Sequence, residues 1–221
     1  MARSFLPLAR RAAIAKALLV AVVLVDCVAF FSDLAQRTML ADAETITVDD
    51  AHLNATRQAM VDHVWLGVYL AAGIAFIFWF HRAYANAGRL GATGLRHRTS
   101  VAVVAWFIPI IALFWPKEIA DETWKASDPE LPAEAGESWQ KGRVPLVFAF
   151  WWLAFIASNV LSFLSGHMGS SVDDLRLGTL LALAGDVVGI AAGLLAVAVV
   201  GAMSRRQESR ALRLGALPQP A

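Results

Sequence analysis

Four long apolar runs are the feature that most constrains how this chain can fold. They cover about residues 14–36, 64–81, 144–165 and 177–203. As a helix, each run approaches or exceeds the roughly 20 residues that cross the hydrocarbon core of a bilayer. Only 17% of the residues are charged, against about 25% in soluble domains. The sequence therefore predicts an all-α polytopic membrane protein whose principal surroundings are the lipid bilayer.

A fifth apolar segment, residues 101–115, is shorter and contains a proline. Its 15 residues would span only about 22 Å as a straight helix, and Pro109 removes a backbone donor and breaks the helix. Pro116 and the acid Glu118 favour the start of a new helix. We expect residues 101–127 to form a Pro-broken re-entrant or interfacial segment beside four transmembrane helices. Five transmembrane helices are the alternative.

The sequence also predicts limits for the second helix. Thr47 and Asp50, three residues apart, resemble a helix N-cap with an acidic first turn. We therefore expect a helix from about residue 48 that continues into the second span. Three glycines within residues 82–99 predict a loop there.

Arginine is concentrated in three segments that contain almost no acid: residues 1–16, 82–99 and the last 17 residues. Positive charge marks the cytoplasmic side of a membrane protein, and four crossings place all three segments there. We expect a single membrane domain over residues 1–204, followed by a basic cytoplasmic tail over 205–221, with both termini in the cytoplasm. The seven acids of residues 116–143 would then also face the cytoplasm, which weakens this topology.

Two acids fall near the middle of predicted spans, Asp26 in the first and Asp186 in the last. A carboxylate there costs at least about 2.5–3.5 kcal/mol, so it must be protonated, paired or in contact with water. Because these two spans run in opposite directions, the acids could reach a similar depth. Our hypothesis is that they face one interior cavity, with Asn159 nearby. The alternative is that each acid makes an unrelated packing contact.

Glycine recurs every fourth residue in the last span, at Gly185, Gly189 and Gly193. Such a stripe permits close helix approach and predicts association with a second copy or with other membrane proteins. We therefore expect a non-enzymatic assembly or scaffold module. A small proton- or cation-linked transporter or channel using Asp26 and Asp186 is the alternative.

The remaining composition argues against other classes of function. The net charge of +1 gives no reason to expect nucleic acid, and the single cysteine excludes a multi-cysteine metal site. The sequence contains no recognisable catalytic motif, because phosphate-binding loops and nucleophile motifs are missing from it. We expect no enzymatic activity, no cofactor and no metal.

A distinctive motif occupies residues 76–127. It begins with Trp79-Phe80-His81-Arg82-Ala83-Tyr84-Ala85-Asn86-Ala87, continues with Trp106-Phe107-Ile108-Pro109-Ile110, and ends with Trp115-Pro116, Glu118 and Trp124. The motif resembles a family of bacterial membrane proteins known only as domain of unknown function 4328. The resemblance implies a multi-pass protein of the bacterial cytoplasmic (inner) membrane and implies no activity.

Eight residues of the motif are candidates for a structural or functional role: Arg82, Asn86, Trp106, Pro109, Trp115, Pro116, Glu118 and Trp124. Arg82 and Asn86 are four residues apart and share one helix face. We expect Arg82 to pair with Glu118, or with Glu122 as the alternative acid, which would hold the broken segment against the second span. A lipid headgroup bound by Arg82 is a further possibility. Snorkelling of Arg82 to the membrane surface is the alternative.

Overall fold

The computed structural model describes residues 5–217, and it is helical over most of that range. Its helices are α1 Ala9–Ala41, α2 Val48–Arg89, α3 Val101–Val104, α4 Pro109–Ala112, α5 Trp115–Ala126, α6 Leu146–Gly166 and α7 Val172–Arg213, with short 3-10 turns at Ala43–Thr45 and Ser138–Lys141. Within these residues there is no strand, and a single bridge joins Ala92 to Gly136. The predicted all-α class is confirmed.

Four of these helices, α1, α2, α6 and α7, are long and apolar enough to cross a membrane. They expose many large apolar side chains, including Leu24, Phe31, Ile74, Phe163 and Leu194. A bilayer solvates such surfaces, whereas soluble proteins rarely expose large apolar patches. The prediction of a polytopic membrane protein is therefore confirmed.

The second long helix starts where the sequence predicted and ends later than predicted. Thr47 and Asp50 form a reciprocal cap, because the Asp50 amide donates to Thr47 Oγ1 at 3.1 Å and the Thr47 amide donates to the Asp50 carboxylate at 3.2 Å. We expected a loop from residue 82, but α2 continues to Arg89. Its last turns carry the buried residues Ala83 and Ala87, so packing maintains the helix beyond the apolar run.

The helix α2 ends in a glycine-dependent motif. Gly91 has φ 93°, a left-handed conformation that L side chains rarely adopt. The Ala92 amide donates to the Ala87 carbonyl at 3.3 Å, which is the bond that defines a Schellman motif. The chain then turns sharply away from the helix axis.

Residues 101–115 do not form one continuous helix. They form the short helices α3 and α4, and Pro109 is the first residue of α4. The next helix, α5, has Pro116 in its first turn, as predicted. The expected break at Pro109 is therefore present, and the alternative of a fifth long straight helix is not.

The last helix does not end at the predicted boundary with the tail. Residues 205–213 continue α7 as regular helix, so no structural boundary separates a membrane domain from a basic tail at residue 204. We refer to residues 204–213 as the α7 extension. The predicted tail also includes residues 218–221, which lie outside the described residues.

The chain groups into two compact units. The first unit contains the segment up to Ala17, Gly73–Ala149, and the segment from Val197 onward. The second unit contains Leu18–Ala72 and Phe150–Ala196. The sequence motif belongs to the first unit, and both intramembrane acids belong to the second.

Candidate functional site

Asn86 of the motif is fully buried in the first unit and ties the N-terminal segment to α2. The Leu6 amide donates to Asn86 Oδ1 at 3.1 Å, and Asn86 Nδ2 donates to the Leu6 carbonyl at 2.8 Å. Nδ2 also lies 3.3 Å from Gln207 Oε1. This side chain therefore supplies hydrogen-bond partners to the Leu6 amide and carbonyl, which are only partly exposed to water.

The expected pairing of Arg82 with Glu118 is wrong. Glu118 pairs instead with Arg96 and with His97, each at 3.4 Å. The physical reason is the length of α2, which stays helical through Arg89. The chain reaches α5 only through the following loop, and that loop carries Arg96 and His97.

Glu122, one turn after Glu118 on α5, is the buried member of this cluster. Its carboxylate accepts the Tyr84 hydroxyl at 2.9 Å and the Arg96 amide at 3.3 Å. The Tyr84 hydroxyl in turn accepts the His97 amide at 3.1 Å. Sequence reasoning named Glu122 only as an alternative acid and missed Tyr84, Arg96 and His97. The cluster joins α2, the loop after it and α5.

The aromatic residues of the motif pack the same unit. The Trp106 ring meets Phe76 and Phe80 edge to face, with centroid separations of 5.6 and 5.7 Å. The Trp115 ring lies 4.7 Å from the His97 ring. Both arrangements fall within the range of favourable aromatic contacts. The motif tryptophans Trp106 and Trp115 therefore hold the Pro-broken segment against the rest of the first unit.

The α7 extension donates hydrogen bonds to the ends of other helices. Gln207 Nε2 donates to the Ala83 carbonyl at 2.8 Å and to Ser127 Oγ at 2.9 Å. The Arg206 guanidinium lies 4.3 Å from the centre of the Trp124 ring, and its Nε donates to the Trp124 carbonyl at 3.2 Å. Trp124, a motif residue, is thereby a contact point for α7.

Arg210 is the most fully bonded residue of the extension. Its guanidinium is buried and donates twice to the Leu90 carbonyl, at 2.7 and 3.0 Å. Further bonds reach the carbonyls of Asp128 at 2.7 Å, Leu131 at 3.0 Å and Pro132 at 3.0 Å. Carbonyls at helix C-termini lack intrahelical donors and carry partial negative charge. Arg210 satisfies such carbonyls just after α2 and α5 together.

The intramembrane acid Asp26 lies in the second unit and has a hydrogen-bond donor. Its side chain is only 4% exposed, and Trp65 Nε1 donates to Asp26 Oδ1 at 2.6 Å. A Cβ atom added to Gly189 would lie 3.3 Å from Asp26 Oδ2. The glycine therefore lets α7 approach the carboxylate closely.

Asp186 is three residues before Gly189 on α7, and its surroundings are different. It lies within electrostatic reach of Asp26, Asp33 and Asp62. Its Oδ2 atom is buried and accepts no hydrogen bond from any described residue. The structure thus brings both predicted acids to the packing of α7 against α1, together with two acids that sequence reasoning did not select.

Asn159 stands apart from the acids. Its Nδ2 donates to the Phe155 carbonyl of its own helix at 2.7 Å, and its Oδ1 is 3.4 Å from the Tyr69 hydroxyl. The Tyr69 ring stacks on Trp65 with a centroid distance of 4.7 Å. Tyr69 and Trp65 therefore connect Asn159 to Asp26.

The glycine stripe of α7 is occupied within the chain. A Cβ atom added to Gly193 would lie 2.5 Å from Val23 Cγ2, and one added to Gly185 would lie 3.4 Å from Ser162 Oγ. Helices α1 and α6 therefore cover this face. The face that was expected to receive a partner is therefore packed against helices of the same chain, and association with a partner stays a prediction.

A network of polar side chains extends between α1 and α2 in the second unit. Arg57 Nη2 donates to the Ser32 carbonyl at 3.0 Å, and the Ser32 hydroxyl donates to Gln58. Gln58 donates to the Asp33 carboxylate at 2.7 Å. The guanidinium end of this network also lines a cavity of about 450 Å³, together with Asn54. Hydrogen-bonding groups thus run from the cavity to Asp33.

No three His, Cys, Asp or Glu side chains among the described residues are grouped so that they could hold a metal ion.

Residues 42–205 match the model of the protein family described as "Domain of unknown function (DUF4328)". The comparisons with curated proteins and with solved structures gave no match. The matched range includes the whole sequence motif and Asp186. It does not include Asp26 or Arg210.

Proposed function

We propose that this chain, which belongs to the DUF4328 family, is a small proton- or cation-linked transporter or channel. The observation that carries the proposal is the position of Asp186 within a candidate span. Its carboxylate has a buried oxygen without a donor among the described residues and lies near Asp26, Asp33 and Asp62. Ionisable residues within spans mark ion and proton pathways by default, because they are expensive to retain.

A route to these acids is supported by the polar network of the second unit. Arg57 lines the 450 Å³ cavity, and hydrogen bonds continue from it through Ser32 and Gln58 to Asp33. From Asp33, electrostatic influence extends to Asp186. We propose that protons or small cations enter at the cavity and reach Asp26 and Asp186 along this network.

We also propose that the protein lies in the bacterial cytoplasmic membrane with both termini in the cytoplasm. The three Arg-rich segments belong wholly or mainly to the first unit, in agreement with one cytoplasmic side. The acids of residues 116–143 had argued against this orientation. Asp128 pairs with Arg206 at 2.8 Å, and Glu130 pairs with Arg213 at 2.6 Å. Two of these seven acids are therefore balanced by arginines of α7.

The proposal is for a protein without enzymatic activity. The motif residues that would be the first candidates for chemistry are used for packing and for backbone hydrogen bonds, as Asn86 is with Leu6. A scaffold role depended on the glycine face, which α1 and α6 cover. We therefore rank transport above assembly, and association with a second copy would need another surface.

Ion flux in proteoliposomes tests the proposed function directly. Purified protein is reconstituted into vesicles that carry gradients of protons, sodium or potassium in separate samples, each containing a dye sensitive to the ion of its gradient. We expect the wild type to dissipate one of these gradients. Asp186→Asn and Asp26→Asn should each abolish that flux, because each removes a titratable carboxylate without changing side-chain size.

Asp173→Asn is the matched control, since this acid also belongs to α7 but its side chain is 93% exposed. It should keep the wild-type rate. Equal flux in the wild type, both interior variants and empty vesicles would eliminate the proposal. Wild-type flux that persists in both interior variants would remove the acids from the pathway.

A further inference from the structure

Three basic side chains come together in the first unit, at the ends of two apolar runs. The Arg11 Nη1 atom donates to the Phe78 carbonyl at 2.9 Å, and the guanidinium lies 6.0 Å from the centre of the Phe78 ring. His81 is within electrostatic reach of both Arg11 and Arg82, and Arg82 is within reach of Arg11. We call Arg11, His81 and Arg82 the basic cluster.

The basic cluster has no acidic partner among the described residues, because no carboxylate there lies within ion-pair distance of its three side chains. Other arginines of the same unit are paired, as Arg96 is with Glu118 at 3.4 Å and Arg213 is with Glu130 at 2.6 Å. Arg11 is held against Phe78, one turn before Arg82, and like charges at such positions repel each other, so an anion bound by both would be stabilised. An external negative charge would therefore be stabilised at the basic cluster.

Apolar surface adjoins the basic cluster on both helices. Phe78, one turn before Arg82, is 60% exposed, and Ile14, one turn after Arg11, is 46% exposed. Arg11 precedes the first apolar run and Arg82 follows the second. In the proposed orientation both arginines therefore meet the cytoplasmic leaflet, where anionic lipids are found. A charged group beside apolar side chains matches an amphiphile better than a soluble anion.

We propose that the basic cluster binds the phosphate of an anionic phospholipid, whose acyl chains lie along Phe78 and Ile14. Guanidinium groups match phosphate oxygens with two parallel hydrogen bonds, and the His81 ring adds a third donor position. The inference rests on the proposed orientation, which is tested separately by labelling of the C-terminal part of α7. It is independent of the proposed transport function.

Native mass spectrometry of the full chain in dodecyl maltoside measures this binding. Dioleoylphosphatidylglycerol and dioleoylphosphatidylcholine are added at equal concentrations, and inorganic phosphate is added in a third series. We expect the wild type to bind phosphatidylglycerol in preference to phosphatidylcholine. The double variant Arg11→Gln/Arg82→Gln should lose about thirtyfold in phosphatidylglycerol affinity, and each single variant about fivefold.

Two further variants separate a specific site from general charge. Arg37→Gln/Arg98→Gln removes the same charge from two exposed arginines and should bind phosphatidylglycerol as the wild type does. Arg11→Lys/Arg82→Lys keeps both charges and should keep most of the affinity, and the two single glutamine variants carry the test if the double variant does not fold. Equal lipid affinity in the wild type and both single glutamine variants would overturn the proposal. Equally tight binding of inorganic phosphate would also overturn it, by showing that no lipid is required.

Discussion

Replacing Arg210 with methionine should destabilise the protein more than any exposed arginine substitution on α7. Methionine retains most of the aliphatic stem and removes the guanidinium, which donates to the Leu90, Asp128, Leu131 and Pro132 carbonyls. The side chain is buried, so water cannot fully replace it. This substitution therefore tests whether the α7 extension holds the ends of α2 and α5.

The expected cost follows from the burial of the acceptors. The Leu90 carbonyl receives two of the bonds in a residue that is only 1% exposed. A buried acceptor left without a donor costs about 1–3 kcal/mol. Asp128 and Leu131 are half-buried and Pro132 is exposed, so their carbonyls can partly turn to water at about 1 kcal/mol each. The sum is about 4–6 kcal/mol, which corresponds to a fall of roughly 10–20 °C in Tm for a chain of this size.

Thermal unfolding in dodecyl maltoside, followed by circular dichroism at 222 nm, measures this loss. Arg213→Met is the matched control, since it removes the same charge one turn later from an exposed pair with Glu130. Exposed ion pairs contribute about 0–1 kcal/mol, so its Tm should stay near the wild type. The Tm of Arg210→Lys should fall between those of Arg210→Met and Arg213→Met, because one ammonium group cannot reach all four carbonyls.

Tm values of Arg210→Met and Arg213→Met that differ by less than about 2 °C would refute the reasoning. It would mean that other donors already satisfy the Leu90 carbonyl. Hydrogen exchange of the backbone amides tests independently whether Arg210 holds the ends of α2 and α5. Amides just after α2, and those of residues 128–132, should lose protection in Arg210→Met and keep it in Arg213→Met.

Three other substitutions test separate parts of the structure. Gly91→Ala should lower Tm because its φ is 93° and a Cβ would collide with a loop carbonyl, whereas Gly88→Ala has ordinary contacts and should gain up to about 1 kcal/mol in the same melt. Glu122→Gln should lower the free energy of unfolding by about 1–2 kcal/mol, because its buried carboxylate accepts a tyrosine hydroxyl. Glu118→Gln changes a side chain that is 42% exposed and should lower it by less than about 1 kcal/mol. Ser209→Cys, with the native cysteine changed to serine, should react with an impermeant maleimide only in inside-out vesicles, and labelling in intact cells would contradict the proposed orientation.

Features that depend on local sequence rules could be predicted from the sequence. The cap at Thr47 and the break at Pro109 follow from hydrogen-bonding capacity and from the missing proline donor. The four long helices follow from apolar length alone. These rules act over a few residues, so tertiary structure did not alter them.

Contacts that depend on which loop reaches which helix could not be predicted. Arg82 was the natural partner for Glu118 under the assumption of a loop from residue 82, and the continuation of α2 transferred the pairing to Arg96. Gly193 was interpreted as an external surface because spacing alone does not reveal which helix covers it. Val23 of the same chain does so.

The packing of the α7 extension could have been inferred from the sequence, but its basic residues suggested a solvated tail instead. Buried positions at Met203, Gln207, Arg210 and Ala211 continue the helical spacing of the preceding apolar run. Two of these residues are polar, so the segment resembled a solvated basic tail. Helical periodicity was therefore a better guide to this segment than its net charge.

Asp26 and Asp186 should respond differently to neutralisation, since only Asp26 has a donor, Trp65 Nε1 at 2.6 Å. An uncompensated acid within a span costs at least about 2.5–3.5 kcal/mol. Asp186→Asn removes that cost at almost constant volume, so its Tm should rise by several degrees while ion flux is lost. Asp26→Asn weakens a charge-assisted hydrogen bond. It should therefore lower the free energy of unfolding by about 1 kcal/mol, which lowers Tm slightly. Greater stability with lost flux is expected where a strained group is kept for function, and a lower Tm for Asp186→Asn would show that its carboxylate is structurally compensated.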